Sequence, residues 1–341
     1  MKGRSALRQK DLIDDGPYAV YGASGIIGSM STFQNGARYV AVVKDGAGVG
    51  RANLCSARTS VLGTMQALIP TEMVLPEYLL HLIRAMRLGD GFSGSTIPHI
   101  YFKDYGQRLV RYVSMADQER IVGMLGSIED QIDILHQQNE RFDTLVKSRF
   151  VEMFGDGQWK RTALSEVADI QGGLTKSGKR DLLPLKLPYL RVANVLRGTL
   201  YLDEVLEIGL TAAECEKNLL VEGDLLFVEG NGSADQIGRC AVWDGSIAPC
   251  VHQNHLIRVR FDERVLPVYA LAYFNAHDGR EQIVARAVNT SGLFTLSTGK
   301  VKALQMPLPP LPLQQKFADF VNNVDKSRFN LLKAYGSIIA L

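Results

Sequence analysis

Two stretches of the chain carry apolar residues at heptad spacings, the pattern of a helix that packs along a narrow seam against another helix. In the first stretch the seam positions are Ile121, Leu125, Ile128, Ile132 and Leu135. In the second they are Phe317, Val321, Val324, Leu331 and Ile338. The pattern predicts one long helix over residues 118–154, ended by a glycine turn, and a second that follows a proline-rich lead-in and runs to the end of the chain.

The remaining apolar residues occur in short runs separated by glycine turns, which is typical of strands. Such runs cover residues 39–43, 189–192, 224–228 and 256–260. Pro76 and Pro267 each begin an apolar segment and predict a short helix. Both halves of the chain are therefore predicted to hold a small domain of strands and short helices.

An internal repeat relates the two halves. Segments that begin at Ser95 and Ser291 align without a gap at an offset of 196 residues. Each opens with a Ser/Gly/Thr-rich turn, passes through a strand-like run (residues 109–113 and 304–308) and reaches a glutamine, Gln118 or Gln314, that opens the long helix. The repeat predicts a first domain over residues 1–115, a helix over 116–155, a second domain over 156–309 and a second helix over 310–341.

Composition and charge add limits. The chain of 341 residues is 46% hydrophobic and 22% charged, which fits two folded domains and excludes a disordered protein. Residues 1–115 hold 13 Lys and Arg against 8 Asp and Glu, whereas residues 159–310 hold 17 of each, so any nucleic-acid binding depends on local basic faces. No apolar run reaches bilayer length and no signal-peptide pattern follows the basic N-terminus, so we expect a cytoplasmic protein without membrane contact.

Several catalytic motifs are nearly or wholly missing. Residues 173–179 have the spacing of a phosphate-binding loop, but Arg180 replaces the Ser or Thr that would hold magnesium. His252 and His255 form a His-x-x-His pair without a third ligand, so a structural role or a base contact is favoured over a metal. The chain has neither a nucleophile elbow nor an adenine-methyltransferase motif. We expect no catalytic residue, no metal and no cofactor.

Five segments carry a resemblance to a known family. Residues 187–195 resemble a Pro-x-hydrophobic-Arg-x-x-Asn/Asp element, residues 222–226 a Gly-Asp-hydrophobic-Leu turn, and residues 230–239 a glycine-bounded loop. Residues 310–314 resemble a Pro-Leu-x-x-Gln helix start, and residues 18–28 a loop of the first domain. In this order and duplication they resemble the specificity subunit of type I restriction–modification enzymes. The resemblance implies an α+β fold: two α/β target recognition domains joined by two long antiparallel coiled-coil spacer helices.

The resemblance also implies a function. A member of this family binds double-stranded DNA at a bipartite target, with one half-site per domain, and is itself not a catalyst. The implied partners are methyltransferase subunits, expected in two copies, and a restriction/translocase subunit. The alternative is a coiled-coil adaptor or structural subunit without sequence-specific DNA contact.

One departure concerns the first domain. Pro17 and Pro188 occupy equivalent positions, so Met1 corresponds to Gly172 and the strand and turn of residues 159–171 have no counterpart. The first domain is therefore expected to be shortened at its N-terminal end.

Base edges are read by Arg, Lys, Asn and Gln on loops, with phosphate contacts fixing the register. In the first domain the candidate DNA-binding residues are Lys10, Tyr21, Ser24, Lys44, Arg51 and Ser95. In the second they are Lys176, Lys179, Arg180, Arg191, Asn194, Asn231, Gln236, Arg239, Gln253, Asn254 and Asn289.

Overall fold

A computed structural model describes residues 1–3, 7–94, 97–157 and 159–339, with side chains of the last helix to residue 333. The chain divides into two compact units, Met1–Ile134 and Leu135–Leu341. The division lies inside the first long helix, so each unit contains one part of that helix.

The first unit holds two small sheets. Its strands are β1 (Tyr18–Gly22), β2 (Gly25–Met30), β3 (Tyr39–Val43), β4 (Ala52–Cys55), β5 (Ser60–Val61) and β6 (Met65–Leu68), and its helices are α1 (Pro76–Ala85), α2 (Phe102–Tyr105) and the first part of α3 (Met115–Phe154). The sheet orders are β2-β1-β5 and β4-β3-β6. All five residues of β3 are buried, and they alternate between two cores because successive side chains of a strand point to opposite faces.

The second unit contains the rest of α3 and a larger set of elements. Its strands are β7 (Arg161–Ala163), β8 (Ala168–Gly172), β9 (Leu185–Leu190), β10 (Leu206–Leu210), β11 (Leu225–Val228), β12 (Gly230–Asn231), β13 (Cys240–Val242), β14 (Val251–His252), β15 (Leu256–Phe261), β16 (Val288–Thr290), β17 (Leu293–Thr295) and β18 (Gln305–Pro307). Its other helices are α4 (Leu164–Val167), α5 (Ala212–Asn218), α6 (Pro267–Asn275), α7 (His277–Arg286), α8 (Thr298–Lys302) and α9 (Leu311–Ile339).

These strands form four sheets, β13-β11-β15-β8, β10-β9-β14, β12-β17-β16 and β18-β7. The central strand β11 contributes Leu225 and Phe227 to one core and Leu226 and Val228 to another. The short strands and the helices that follow Pro76 and Pro267 agree with the sequence pattern, and the fold is a mixture of α and β elements in both units.

Aromatic rings join α3 to α9 inside the second unit. Phe150 and Phe154 of α3 lie with ring centroids 5.5 and 5.7 Å from Phe317 of α9, and Phe154 lies 4.8 Å from Tyr269 of α6. Arg328 of α9 also pairs with Asp143 of α3 at 2.6 Å. Because residue numbers rise along one helix as they fall along the other, the two segments run antiparallel here.

The seam positions differ in burial. Phe317 and Val324 are buried, whereas Val321, Leu331, Ile121, Leu125 and Leu135 are half-buried. Ile128 and Ile132 are 43% and 40% exposed. The side chain of Ile338 lies outside the described residues. The α3 residues with the deepest burial in this helix pair, Phe150 and Phe154, were not among the predicted seam positions, because they lie beyond the heptad run. A continuous coiled-coil seam stays a prediction.

Helix α3 begins at Met115, before the predicted Gln118, whereas α9 begins at Leu311, at the start of the range 310–341 that the repeat predicts. Helix α3 starts at Met115, where the Ser114 hydroxyl accepts a hydrogen bond from the Asp117 N–H at 3.2 Å, the arrangement of an N-cap. Helix α9 starts at Leu311, so Pro312 lies in its first turn, where a missing N–H leaves no intrahelical bond unmade.

A buried glutamine near the start of α3 binds two other segments of the first unit. Gln118 is 1% exposed. Its Oε1 accepts the N–H of Leu75, the N-cap residue of α1, at 2.9 Å, and its Nε2 donates to the carbonyl oxygens of Met73 and Val113 at 2.9 and 3.1 Å. The Gln118 side chain thus bonds an N–H at the start of α1 for which the helix itself has no acceptor. It also connects the start of α1 to α3.

The same arrangement recurs in the second unit. Gln314 is 0% exposed; its Oε1 accepts the N–H of Leu266, the N-cap residue of α6, at 2.8 Å. Its Nε2 donates to the carbonyl oxygens of Arg264 and Pro309 at 3.0 and 2.9 Å. We call each of these two sets of three hydrogen bonds a glutamine clamp. The repeat seen in the sequence is thus also a repeat of hydrogen bonds.

The structure and the sequence alignment differ by three residues in the position of the second unit that corresponds to Met1. Lys2 pairs antiparallel with Leu68 of β6, as Ile170 of β8 pairs with Val259 of β15. When the N-caps of α1 and α6 are aligned, Leu68 corresponds to Val259. Met1 therefore corresponds to Asp169 and not to Gly172, so residues 1–3 take the place of the end of β8. The prolines misled the alignment because the intervening loops differ in length.

We predict that Gln314→Ala lowers the free energy of unfolding of the second unit by about 2–4 kcal/mol, because it leaves a buried N–H and two carbonyl groups without their partner. Gln315→Ala is the matched control, since Gln315 is exposed and bonds only Asp319 of its own helix. Urea unfolding of the full chain measures both. Equal losses for the two variants would contradict the clamp.

Candidate nucleic-acid interface

A small three-stranded sheet brings two of the predicted asparagines together. Asn231 of β12 and Asn289 of β16 both lie opposite Phe294 of the central strand β17. Residues in register across antiparallel strands have side chains on one face, so the two amides flank the same ring. Each Oδ1 accepts a local backbone N–H, from Ser233 at 2.9 Å and from Gly292 at 3.2 Å. Among the described residues neither Nδ2 has a hydrogen-bond partner, so both keep donors for a ligand.

A second predicted loop lies beside this sheet. Glu229, just before β12, donates its N–H to the His255 carbonyl oxygen at 2.9 Å and accepts the Leu296 N–H at 2.7 Å. Its carboxylate lies 3.0 Å from Nδ1 of His255. Glu229 therefore connects the turn that contains Gln253 and Asn254 to the β12–β17 pair.

The loop after β8 lies against the same turn. Leu174 donates its N–H to the His252 carbonyl oxygen at 2.8 Å and accepts the Asn254 N–H at 3.0 Å. A Cβ atom at Gly173 would lie 2.0 Å from the His252 carbonyl oxygen, so this approach requires glycine. The exposed Lys176 lies further along this loop. Gln236 lies on the loop after Asn231, and its Nε2 donates to Oδ2 of Asp235 at 2.6 Å. Three loops with amide and basic groups thus adjoin one another.

Three other predicted residues have structural hydrogen bonds instead. Asn194 is 0% exposed; its Oδ1 accepts the Arg191 N–H at 2.8 Å, and its Nδ2 donates to two carbonyl oxygens at 2.9 Å each. Arg239 donates to the carbonyl oxygens of Val195 and Val192 at 2.7 and 3.0 Å. Both side chains fix the loop that follows β9, and a base contact by either stays a prediction.

Arg180 is the third of these residues. Its two Nη atoms lie 3.1 and 2.8 Å from the two carboxylate oxygens of Glu214, and its Nε donates to the Thr175 carbonyl oxygen at 2.7 Å. This bidentate pair, together with the Thr211 N–H, lowers the pKa of Glu214 to about 2. The loop that resembled a phosphate-binding loop is therefore anchored to α5. The neighbouring Lys179 stays exposed, and Arg191 makes an ion pair with Glu204 at 3.4 Å.

The first unit repeats the geometry of the three-stranded sheet in reduced form. Asp45 and Ser93 both form bridges with His99, as Gly230 and Val288 do with Thr295. Lys44 immediately precedes Asp45 and is half-buried, whereas Arg51 is exposed and its Nε lies 3.4 Å from the Gly48 carbonyl oxygen. The bridge between Ser93 and His99 therefore corresponds to the pairing of β16 with β17 in the second unit.

The remaining predictions for the first unit are more scattered. Ser24 is exposed at the β1–β2 turn, Tyr21 of β1 is half-buried against the core, and Lys10 is exposed on the 3-10 helix Gln9–Asp11. Ser95 lies outside the described residues. Among the candidates of this unit that the structure describes, Lys44 is the one next in sequence to a residue of the repeated bridges.

The two histidines do not form a shared ligand pair. His252 is 0% exposed, and burial lowers its pKa to about 4, so it is neutral near pH 7. His255 is exposed and pairs with Glu229. In the described ranges no group of three or more His, Cys, Asp or Glu residues is placed to hold a metal ion. Nor does any helix of those ranges have the length and apolar character to span a bilayer.

Short strands and a clamped long helix are present in both units, and the three-stranded sheet of the second unit has two isolated bridges as its counterpart in the first, so the chain is built from one duplicated module. The family described as type I restriction modification DNA specificity domain matches residues 157–336, more than half of the chain, and the chain belongs to this family. The resemblance inferred from the sequence motifs is confirmed.

The relatives carry names of the same kind. The chain is 22% identical over 284 residues to the type I restriction enzyme EcoKI specificity subunit of Escherichia coli (strain K12), covering 75% of this chain and 59% of that protein. It is 24% identical over 286 residues to the StySPI specificity subunit of Salmonella potsdam, covering 76% and 60%. The chain thus spans about three fifths of the length of these relatives.

Solved structures show a similar fold. The crystal structure of a type I restriction–modification S subunit from M. genitalium aligns over 100% of this chain and 90% of that chain, with a TM-score of 0.53 and 16% identity. At this identity the likeness concerns the fold alone.

We predict that Arg180→Gln raises the pKa of Glu214 from about 2 toward its ordinary 4.5, because the bidentate donor is lost. A folded-state pKa below the unfolded value gives stability that is present above about pH 4.5 and is lost as the pH falls toward 2. The wild type should therefore lose more stability than Arg180→Gln over this range. Carbon-13 NMR titration of Glu214 and acid unfolding measure both effects. An unchanged Glu214 midpoint in the variant would refute the assignment.

Proposed function

We propose that the chain is the sequence-specific DNA-binding specificity subunit of a type I restriction–modification complex, and that each unit reads one half-site of a bipartite target. The observation that carries the proposal is the duplication of one polar bridge pattern, at Asn231 and Asn289 in one unit and beside Lys44 in the other, each in a unit with a clamped long helix. Family membership supports the same function.

In this proposal the target recognition domains are residues 1–115 and 156–309, and residues 116–155 and 310–341 are the spacer helices. The chain has no catalytic residue. Methyltransferase subunits, in two copies, modify the DNA, and a restriction/translocase subunit cleaves it. The complex is cytoplasmic.

The base-reading group in the second unit is formed by Asn231, Asn289, Gln253 and Asn254, because amide side chains pair with adenine edges. Lys176 and Lys179 supply phosphate contacts, which position the protein but carry no sequence information. In the first unit Lys44 and Arg51 are the candidates for base reading and for phosphate contact. Arg180, Asn194 and Arg239 hold the loops that present the readers.

The long helices set the gap between half-sites. Helix α3 has 40 residues and is about 60 Å long at 1.5 Å per residue. The centres of half-sites that lie one helical turn of DNA apart are separated by roughly 34 Å. Base pairs that the protein does not read therefore lie between the two half-sites.

The alternative function is that of a coiled-coil adaptor without sequence-specific DNA contact. The deciding experiment purifies the chain with its methyltransferase partner and selects from a random duplex pool. An enriched two-part motif supports sequence reading, whereas uniform binding that weakens with salt supports the adaptor.

We predict that Asn289→Ala relaxes specificity at one or two positions of one half-site and costs about 1–3 kcal/mol there. Lys176→Gln should instead weaken binding to all sequences and reduce the salt slope by about 1. The exposed Asn322 of α9 provides the control variant Asn322→Ala. Selection and salt titration of the complex measure these effects. The assignment of Asn289 fails if its variant selects the wild-type motif with unchanged affinity.

We also predict that a seven-residue insertion in both α3 and α9 widens the unread gap by about three base pairs, because it adds about 10.5 Å of helix. Both inserts preserve the heptad register, and the half-site sequences should not change. The motif selected by the lengthened complex gives the gap directly. A gap of wild-type length would exclude the helices as the spacer.

A further inference from the structure

On the loop after β12, Asp235 accepts hydrogen bonds from two arginines and from the neighbouring glutamine. Its main-chain carbonyl oxygen accepts from Nη2 of Arg197 and from Nη2 of Arg280, the latter at 2.9 Å. Its Oδ1 also accepts from Nη2 of Arg197 at 3.2 Å, and its Oδ2 accepts from Nε2 of Gln236 at 2.6 Å. Asp235 thus connects the two arginines to the side chain of Gln236.

The two arginines come from different elements of the second unit. Arg197 lies on the loop between β9 and β10, and Arg280 lies on α7. Burial and, to a smaller extent, the positive charge of Arg197 lower the pKa of Arg280 below its ordinary value. Two guanidinium groups at such a separation repel each other, and hydrogen bonds from both to one acceptor offset that repulsion. The pair is therefore arranged around the carbonyl oxygen of Asp235.

The tip of this loop is held by hydrogen bonds more than by packing. An open cavity of about 660 Å³ adjoins it, lined in part by Ala234 and Asp235 of the loop and by Arg280 of α7. The Asp235 side chain is 74% exposed, whereas Ile237, at the end of the loop, is 0% exposed. Core packing therefore begins at Ile237, and the tip depends on the bonds from Arg197 and Arg280.

The amide of Gln236 keeps hydrogen-bonding groups for a ligand. One N–H of Nε2 is directed at Asp235, while Oε1 and the other N–H have no partner among the residues that the structure describes. An amide with one free acceptor and one free donor has the pair of groups that reads the N6 and N7 edge of adenine. Gln236 donates its N–H to the Ser233 carbonyl oxygen at 3.0 Å, and the Ser233 N–H bonds Oδ1 of Asn231 at 2.9 Å, so Gln236 and Asn231 lie on one turn.

We propose that Gln236 reads an adenine in the half-site of the second unit and that Asp235 orients its amide for this contact. Arg197 and Arg280 are positioning residues, since they act on Gln236 through Asp235. This inference rests on the proposed function. An amide that is held before binding loses less conformational entropy when it pairs with a base, so the two arginines raise the discrimination that Gln236 achieves.

Hydrogen exchange in the free chain tests the positioning step. Gln236 and Ile237 donate their N–H groups to the Ser233 carbonyl oxygen at 3.0 and 3.1 Å, so their exchange reports how often the turn opens. We expect exchange at least about tenfold faster in Arg280→Ala, and a smaller change in Arg280→Lys, which keeps a cationic donor. Arg286→Ala is the matched control, since Arg286 lies on the same helix and has no hydrogen bond or ion pair with any residue that the structure describes.

Selection from a random duplex pool, with the chain bound to its methyltransferase partner, tests the reading step. Gln236→Ala should lower the preference for adenine about tenfold at one position of one half-site. Arg280→Ala should lower the preference at the same position, and Arg280→Lys should stay closer to the wild type. The other half-site should not change in any of these variants, and Arg286→Ala should select the wild-type motif.

Faster exchange in Arg280→Ala together with the loss of one adenine preference supports the proposal. Unchanged exchange overturns the positioning role. An unchanged motif in Gln236→Ala, or the loss of a preference for a base other than adenine, overturns the reading role and leaves the proposed function intact. A wild-type complex that selects no motif overturns the proposed function and this inference with it.

Discussion

The glutamine clamp is the interaction on which the arrangement of each unit depends. A primary amide buried without partners destabilises a protein, so a fully buried glutamine is tolerated only where its acceptor and both donors are bonded. Gln118 and Gln314 each meet this requirement by bonding the N-cap residue of a short helix and the segment that leads into a long one. Tilting the long helix away from its unit would break the two bonds of the clamp that reach beyond the helix and its lead-in, to Leu75 and Met73 or to Leu266 and Arg264. The direction in which each long helix leaves its unit is thereby fixed.

In the second unit this constraint is joined by another at the same end of α9. The rings of Phe150 and Phe154 pack against Phe317, three residues after the clamp on α9. Tyr269 of the clamped helix α6 packs on Phe154 and donates its hydroxyl proton to the Pro307 carbonyl oxygen at 2.9 Å. The end of α3, the start of α9 and the body of the unit therefore form one core. Phe294, the residue opposite both Asn231 and Asn289, packs against this core, so the three-stranded sheet rests on it.

The sequence predicted the helices, the short strands and the duplication well, because these depend on apolar periodicity and on proline and glycine positions. Gln118 was recognised as a helix start, but its capping role was not, since its partners Leu75 and Met73 lie more than 40 residues away. The candidate DNA-binding residues stay predictions. Asn231 and Asn289 do come together, yet Arg180, Asn194 and Arg239 bond the protein itself. A loop arginine that binds backbone carbonyl groups has the same sequence signature as one that would bind a guanine.

Native-state hydrogen exchange at the amides of Leu75 and Leu266 tests the clamp most directly. These N–H groups belong to helix N-caps, which ordinarily open by local fraying. If each is held by a buried glutamine, its free energy of opening should equal that of the central strand of its unit, at Val42 or Phe227. Exchange through local fraying, at a much lower free energy than those strands, would contradict the account.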